Sequence, residues 1–141
     1  MSLAGRSQVL VAGFGCQRGC SASELGALLD RTLLQYRLQR SALTGLASID
    51  LKCQEPGLLA LAEQLGLPLV FFSSAELARF EPQLNHRSTL AHRHTGCFGI
   101  AESCALALAE QLGGCSAELK APRCTSARAT LALAAPRQNI R

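Results

Sequence analysis

The chain has 141 residues, of which 48% are hydrophobic and 17% are charged, so it can form one domain with a sizeable core. Only 4% are aromatic and none is Trp, which argues against a base-stacking surface for nucleic acid. The net charge of +4 arises entirely in residues 118–141, because residues 1–117 contain nine Lys or Arg and nine Asp or Glu. Such a local basic excess indicates a small anionic ligand or a solvated tail, because nucleic acid would normally need a broader basic surface.

Signals for export, membrane insertion and metal binding are weak in this sequence. There is no apolar run of about 18 residues and no signal-peptide pattern near the N-terminus. The seven cysteines are odd in number and form no C-x-x-C pair. We therefore expect a cytoplasmic protein with reduced thiols, no membrane segment, no metal site and no cofactor. We also expect residues 1–141 to form one domain with a frayed tail at 136–141.

Strand and helix patterns alternate along the first 80 residues, which favours a parallel sheet with helices on both faces. The last two strands are predicted to form a hairpin at the sheet edge, joined by residues 122–128. The fold class is therefore α/β, a three-layer α/β/α arrangement with a mostly parallel sheet and a C-terminal antiparallel edge hairpin. The predicted strands are 8–12, 46–49, 68–72, 117–121 and 129–134, and the predicted helices are 22–38, 56–65, 74–80 and 100–112.

The segment 81–95 interrupts this alternation and contains His86, His92 and His94. A loop of this length inside a small domain is usually functional or mobile. The histidines lack metal-ligand spacing, so surface positions are expected for them.

A glycine-rich turn with Gly13, Gly15 and Gly19 is predicted between the first strand and the first helix, which begins with the capping pattern Ser21-x-x-Glu24. The spacing G-x-G-x-x-x-G differs from the dinucleotide-binding pattern. A phosphate or carboxylate could lie at the helix N-terminus with Arg18 beside it. A tight turn without a ligand explains the pattern equally well.

Two further loops are predicted to precede helices at the same edge of the sheet. In the first, Lys52 could hold an anion and Glu55 could act as general acid or base, although an Asp50–Lys52 ion pair explains the pattern too. In the second, Gly96 precedes a helix whose first turn carries Glu102, which could simply complement the helix dipole. Cys16 and Cys20 are interpreted as small packing residues.

Four segments together resemble one family: VAGFGCQRGCSASEL, SIDLKCQEPGLLALA, PLVFFSSAEL and GIAESCAL. They are similar to the cobalamin (vitamin B12) biosynthesis family of CobE and the C-terminal domain of CbiG, over about residues 9–134. The resemblance implies a stand-alone CobE-type chain that acts in corrin-ring synthesis near ring contraction. There the longer relative opens a lactone and releases acetaldehyde. The family pattern highlights Gly13, Gly15, Gly19, Asp50, Lys52, Glu55, Gly96, Glu102 and Thr130, and Arg123 stands where the family more often has a lysine.

The resemblance leads to three hypotheses of function. The first is a binding protein for a precorrin or another polycarboxylate tetrapyrrole, acting as carrier or accessory factor. The second is a lactone hydrolase that uses Glu55 or Glu102 with Lys52. The third is a scaffold that contacts methyltransferases or other enzymes of the pathway. The substrate-binding residues expected under the first hypothesis are Gly13, Gly15, Arg18, Gly19, Ser21, Asp50, Lys52, Gly96 and Arg123.

Overall fold

The computed structural model describes residues 9–80, 82 and 99–137. The three histidines and Gly96 lie outside the described residues. The strands are β1 (Val11–Cys16), β2 (Gly45–Ile49), β3 (Leu69–Phe72), β4 (Ala117–Thr125) and β5 (Ala129–Pro136). The helices are α1 (Ala22–Gln35), α2 (Pro56–Leu65), α3 (Ser74–Ala78) and α4 (Ile100–Gly113), and short 3-10 helices occur at Arg40–Ala42 and Asp50–Lys52.

The five strands form one sheet in the order β3-β2-β1-β5-β4. β1, β2 and β3 are parallel, and β5 is antiparallel to both β1 and β4. This confirms the mostly parallel sheet with a C-terminal antiparallel hairpin. The predicted unbroken apolar strand β3 lies at one edge of the sheet, where most of its residues are only partly buried.

Helices cover both faces of the sheet, as the alternating pattern predicted. On one face, α1 and α2 pack through leucines such as Leu25, Leu29 and Leu61. On the other, α4 packs through alanines and leucines against β1, β2 and β5. None of the helices in the described ranges is long and apolar enough to cross a membrane.

Strand β1 extends four residues beyond its predicted end, so Gly13 and Gly15 lie inside the strand and not in a turn. Helix α4 crosses the strand so closely that a Cβ at Gly13 would overlap the carbonyl oxygen of Ala101 and lie 2.6 Å from the backbone nitrogen of Ala105. Gly13 is therefore needed for packing. Of the three glycines, only Gly19, with φ of 82°, lies in the turn after β1.

Other boundaries differ from the prediction by a few residues. Helix α1 ends at Gln35, and Arg37 adopts a left-handed φ of 60°. Strand β4 continues through Pro122, which an edge strand with bulges tolerates, so the hairpin turn shortens to residues 126–128. Strand β5 runs two residues beyond its predicted end. Helix α2 matches the prediction, and helix α3 begins with a capping box formed by Ser73 and Glu76.

Candidate functional site

An open cavity of about 800 Å³ lies where β1, β2 and β4 end and β5 begins, which we call the carboxyl edge of the sheet. Four segments form its walls. They are the glycine turn (residues 17–21), the 3-10 helix after β2, the beginning of α4 and the β4–β5 turn (residues 126–128). Ligands of open α/β sheets commonly bind at this edge, in the crevice between neighbouring loops.

The described residues that line the cavity include four cationic side chains and no carboxylate. The four are Arg18, Lys52, Arg123 and Arg128. Within the described ranges, the three guanidinium groups have no carboxylate within 4.0 Å, and the Nζ of Lys52 lies 4.0 Å from the Oε1 of Glu55. Apolar side chains of Ile49, Leu51 and Ile100 also line the cavity. The cavity therefore combines an apolar wall with available positive charge.

The structure brings only some of the predicted site residues to the cavity. Gly15, Arg18, Lys52 and Arg123 line it. The other described candidates are not among the lining residues, although Gly19, Ser21 and Asp50 belong to segments that form the walls. They are Gly13, Gly19, Ser21, Asp50, Glu55 and Glu102. Whether any of these residues binds a substrate stays a prediction.

Of the basic residues in the C-terminal hairpin, Arg123 was selected from the sequence as a binding residue and Arg128 was not. Arg128 and the adjoining residues 125–130 line the cavity beside the glycine turn, whose Gln17 N–H donates to the Arg128 carbonyl at 2.8 Å. The basic excess near the C-terminus was the available signal, because it includes Arg128. Thr130, which the family pattern highlighted, also lines the cavity, and its hydroxyl donates to the Gly15 carbonyl at 3.4 Å.

Glu55 connects two walls of the cavity. Its side chain is only 7% exposed, and its Oε2 accepts a hydrogen bond of 2.7 Å from the Gly19 N–H. Close behind it, a Cβ at Gly57 would overlap the carbonyl oxygen of Cys20, so helix α2 begins directly against the glycine turn. The carboxylate thus holds the turn that carries Arg18.

Glu102 is fully buried in the first turn of α4. Its Oε2 accepts a hydrogen bond of 3.4 Å from the Arg123 N–H, which links the helix to the edge strand β4. Arg123 lines the cavity, whereas Glu102 does not, so Glu102 supports a lining residue through its backbone.

Glu24 connects helix α1 to the β4–β5 turn. The Ser21 hydroxyl caps the helix by accepting from the Glu24 N–H at 3.0 Å, as predicted. The Glu24 Oε2 accepts hydrogen bonds from the Ser126 hydroxyl at 2.6 Å and from the Arg128 N–H at 2.8 Å. These two bonds, the Ser126 bond most strongly, hold the pKa of Glu24 below its ordinary value of 4.5.

Replacing Glu24 with Gln is expected to destabilise the fold at neutral pH and to matter less in acid. A carboxyl group whose pKa is lower in the folded state adds stability above its unfolded pKa, and that stability is lost as the pH falls through the folded value. The difference in free energy of unfolding between wild type and Glu24→Gln should therefore shrink below about pH 4.5. Urea titrations between about pH 7 and pH 3 measure it. The pKa of Glu118 is also lowered, but Glu118 is present in both proteins, so its pH-dependent contribution cancels in the difference between their free energies of unfolding. A difference that stays constant down to about pH 3 would contradict the prediction.

Cys16 lines the cavity but is a poor nucleophile. Burial raises the pKa of its thiol to about 11, and the nearby charge of Lys52 opposes this only in part. The thiol is therefore protonated at neutral pH, and the thiolate is the reactive form. Cys16, Cys20, Cys53, Cys115 and Cys124 are free.

Iodoacetamide is expected to modify Cys53 and Cys115 well before Cys16, because the first two are exposed. Time-resolved alkylation of native protein near neutral pH, followed by peptide mass spectrometry, measures the order. Alkylation of Cys16 as fast as Cys53 would show that its thiol is more accessible or more acidic than this structure implies. Unfolded protein, in which all the thiols should react at similar rates, provides the control.

Comparisons with known proteins agree with one another. The family model described as "Cobalamin synthesis G C-terminus" matches residues 10–134. The chain is 37% identical to Protein CobE of Sinorhizobium sp. over 127 residues, which are 90% of this chain and 80% of that protein. It is also 34% identical to the cobalt-precorrin-5A hydrolase of Priestia megaterium over 101 residues. These residues are 72% of this chain but 26% of the hydrolase.

Solved structures give the same result. A crystal structure of CobE, described as a protein from the cobalamin biosynthetic pathway, superimposes with a TM-score of 0.86 at 49% identity, covering 89% of both chains. The cobalamin biosynthesis protein chiG of Agrobacterium tumefaciens superimposes with a TM-score of 0.67 at 27% identity, covering 92% of this chain and 99% of that one. The fold, the family model and these relatives together show that the chain belongs to the CobE and CbiG C-terminal family of cobalamin biosynthesis proteins.

Proposed function

We propose that this protein binds a precorrin in the carboxyl-edge cavity, as a carrier or accessory factor near the ring-contraction stage. The observation that carries the proposal is the lining of the cavity, which has four cationic side chains and, among the described residues, no carboxylate. A precorrin presents acetate and propionate groups around an otherwise largely apolar ring. Each charge-assisted hydrogen bond between such a group and a cation contributes roughly 1.5–3 kcal/mol.

The spacing of the cations supports a large ligand. Lys52 follows β2, Arg18 follows β1, and Arg123 lies on β4, at the far side of β5. Strands β2 and β4 are three strand spacings apart, or about 14 Å. A macrocycle with carboxylate arms around its rim can reach cations that follow or lie on strands this far apart.

The size of the cavity and its apolar wall also fit a precorrin. A volume of about 800 Å³ lies within the range of small-molecule sites. Leu51, which is 65% exposed, and the partly buried Ile100 offer an apolar surface for one face of the ring. The opening to solvent suits a ligand that has to be received and passed on.

The test is a titration of purified protein with uroporphyrin, a stable polycarboxylate tetrapyrrole, followed by its absorbance. Saturable binding is expected, with an affinity that falls as salt rises, because the cations are at least partly exposed to solvent. Coproporphyrin, which keeps the macrocycle but has half as many carboxylates, should bind more weakly. Absence of saturation with uroporphyrin at micromolar protein, or equal affinity for both porphyrins, would contradict the proposal.

Hydrolysis of a lactone stays a prediction, and the geometry of the site supports it less than it supports binding of a precorrin. Lys52 lines the cavity, but the candidate acids Glu55 and Glu102 are both engaged with backbone N–H groups. The relatives named as cobalt-precorrin-5A hydrolases are much longer, and the chain spans about a quarter of their length. The scaffold hypothesis also stays a prediction.

A further inference from the structure

The β4–β5 turn carries Arg128 into the cavity wall, and long-range hydrogen bonds fix the turn in place. The Arg128 carbonyl accepts from the Gln17 N–H at 2.8 Å, and the Thr125 carbonyl accepts from Arg31 at 2.6 Å. The Ser126 hydroxyl and the Arg128 N–H both donate to Glu24. Glu24 is thus the one carboxylate among the described residues that holds this turn by direct hydrogen bonds.

Glu24 is a rigid point of attachment for two reasons. It lies in the first turn of α1, whose N-terminus is capped by Ser21 and whose inner face is buried in the core. Both hydrogen bonds end on the same oxygen, Oε2, so they fix the two ends of the three-residue turn relative to each other.

We propose that Glu24 is a positioning residue for the cavity, whose carboxylate fixes the β4–β5 turn so that Arg128 already lines the cavity before an anionic ligand arrives. The inference rests on the proposed binding function. A cation held in place loses less conformational entropy when it pairs with a ligand than one on a mobile loop. Removal of the contact should therefore weaken binding without removing any group that touches the ligand.

The direction of the change in porphyrin affinity when Glu24 is removed distinguishes a positioning role from an effect of net charge. Glu24 is an anion close to Arg128, so its removal makes the surroundings of the cavity more positive. If net charge alone mattered, Glu24→Ala would bind an anionic porphyrin more tightly. Positioning predicts weaker binding.

The first measurement needs no ligand. Amide hydrogen exchange at Arg128 should be about fivefold faster or more in Glu24→Ala, because the N–H loses its acceptor and the turn opens more often. Glu76→Ala is the matched control, since Glu76 occupies the same third position of helix α3 and, among the described residues, its side chain is hydrogen-bonded to its own capping residue Ser73. It should leave exchange at Arg128 unchanged. Equal exchange at Arg128 in wild type and Glu24→Ala would overturn the proposal.

The second measurement is a double-mutant cycle with uroporphyrin as the probe. Glu24→Ala is expected to weaken binding about fivefold to tenfold in the wild-type background and less than about twofold in the Arg128→Gln background. Glu24→Gln, which keeps an oxygen acceptor, should recover most of the affinity. Equal losses in both backgrounds, or tighter binding by Glu24→Ala, would overturn the role of Glu24. Failure of wild type to bind uroporphyrin would instead remove the proposed function, while the exchange result would still report on the turn.

Discussion

Replacing Arg123 and Arg128 together with Gln is expected to weaken uroporphyrin binding by at least about a hundredfold, because two charge-assisted contacts of roughly 1.5–3 kcal/mol each are lost. Both side chains line the cavity, and neither guanidinium group has a carboxylate within 4.0 Å in the described part of the chain. Since neither side chain forms an ion pair with another described residue, the free energy of unfolding should change little. Isothermal or absorbance titration at fixed salt measures the affinity.

The matched control removes the same amount of charge outside the cavity. Lys120 and Arg137 both lie near Glu118, at 2.9 and 3.9 Å, and neither lines the cavity. The double variant Lys120→Gln with Arg137→Gln should bind uroporphyrin within about threefold of wild type, because exposed charges act weakly at a distance in salt. Equal losses in the two double variants would indicate non-specific attraction to a basic protein.

Replacing Gly13 with Ala is expected to destabilise the fold by about 3 kcal/mol or more, because the added methyl group meets backbone and not a flexible side chain. Its neighbours would be the Ala101 carbonyl oxygen and the backbone nitrogen of Ala105. Strand β1 is hydrogen-bonded to β2 and β5, so it cannot move away from α4 without disturbing the sheet centre. The urea midpoint should fall sharply at an unchanged slope.

Gly26→Ala is the corresponding control. Gly26 lies inside helix α1, where a Cβ would meet Leu61 Cδ1 at an ordinary distance of 3.6 Å. Because alanine has the higher helix propensity, this variant should equal or exceed wild type in stability, by up to about 1 kcal/mol. If Gly13→Ala were as stable as wild type, α4 could not cross β1 as closely as described.

Much of the fold follows from local sequence patterns. Helix α2 is bounded by Pro56 at its first position and by Gly66 in a left-handed conformation, and both signals are local. The extent of β1 could not be predicted in the same way. Gly13 and Gly15 were interpreted as turn residues because glycine disfavours strands, but Gly13 is required by contact with a helix about ninety residues later in the chain.

The site was predictable only in part, for a similar reason. Arg18 and Lys52 could be assigned to one edge of the sheet because they follow parallel strands, and both line the cavity. Arg128 lies in both the predicted and the observed turn, but its place beside the cavity depends on long-range hydrogen bonds to Gln17 and Glu24, which no local pattern shows. Glu24 was recognised by its capping position alone, since no sequence pattern shows that its carboxylate reaches a turn more than one hundred residues away.

The central claim is that the carboxyl-edge cavity is a binding site for a polycarboxylate tetrapyrrole. Its most direct test is a crystal structure of the protein with uroporphyrin bound. We expect a macrocycle lying against Leu51 and Ile100, with its carboxylates at Arg18, Lys52, Arg123 and Arg128. A macrocycle bound at any other surface, with the cavity cations facing only solvent, would contradict it.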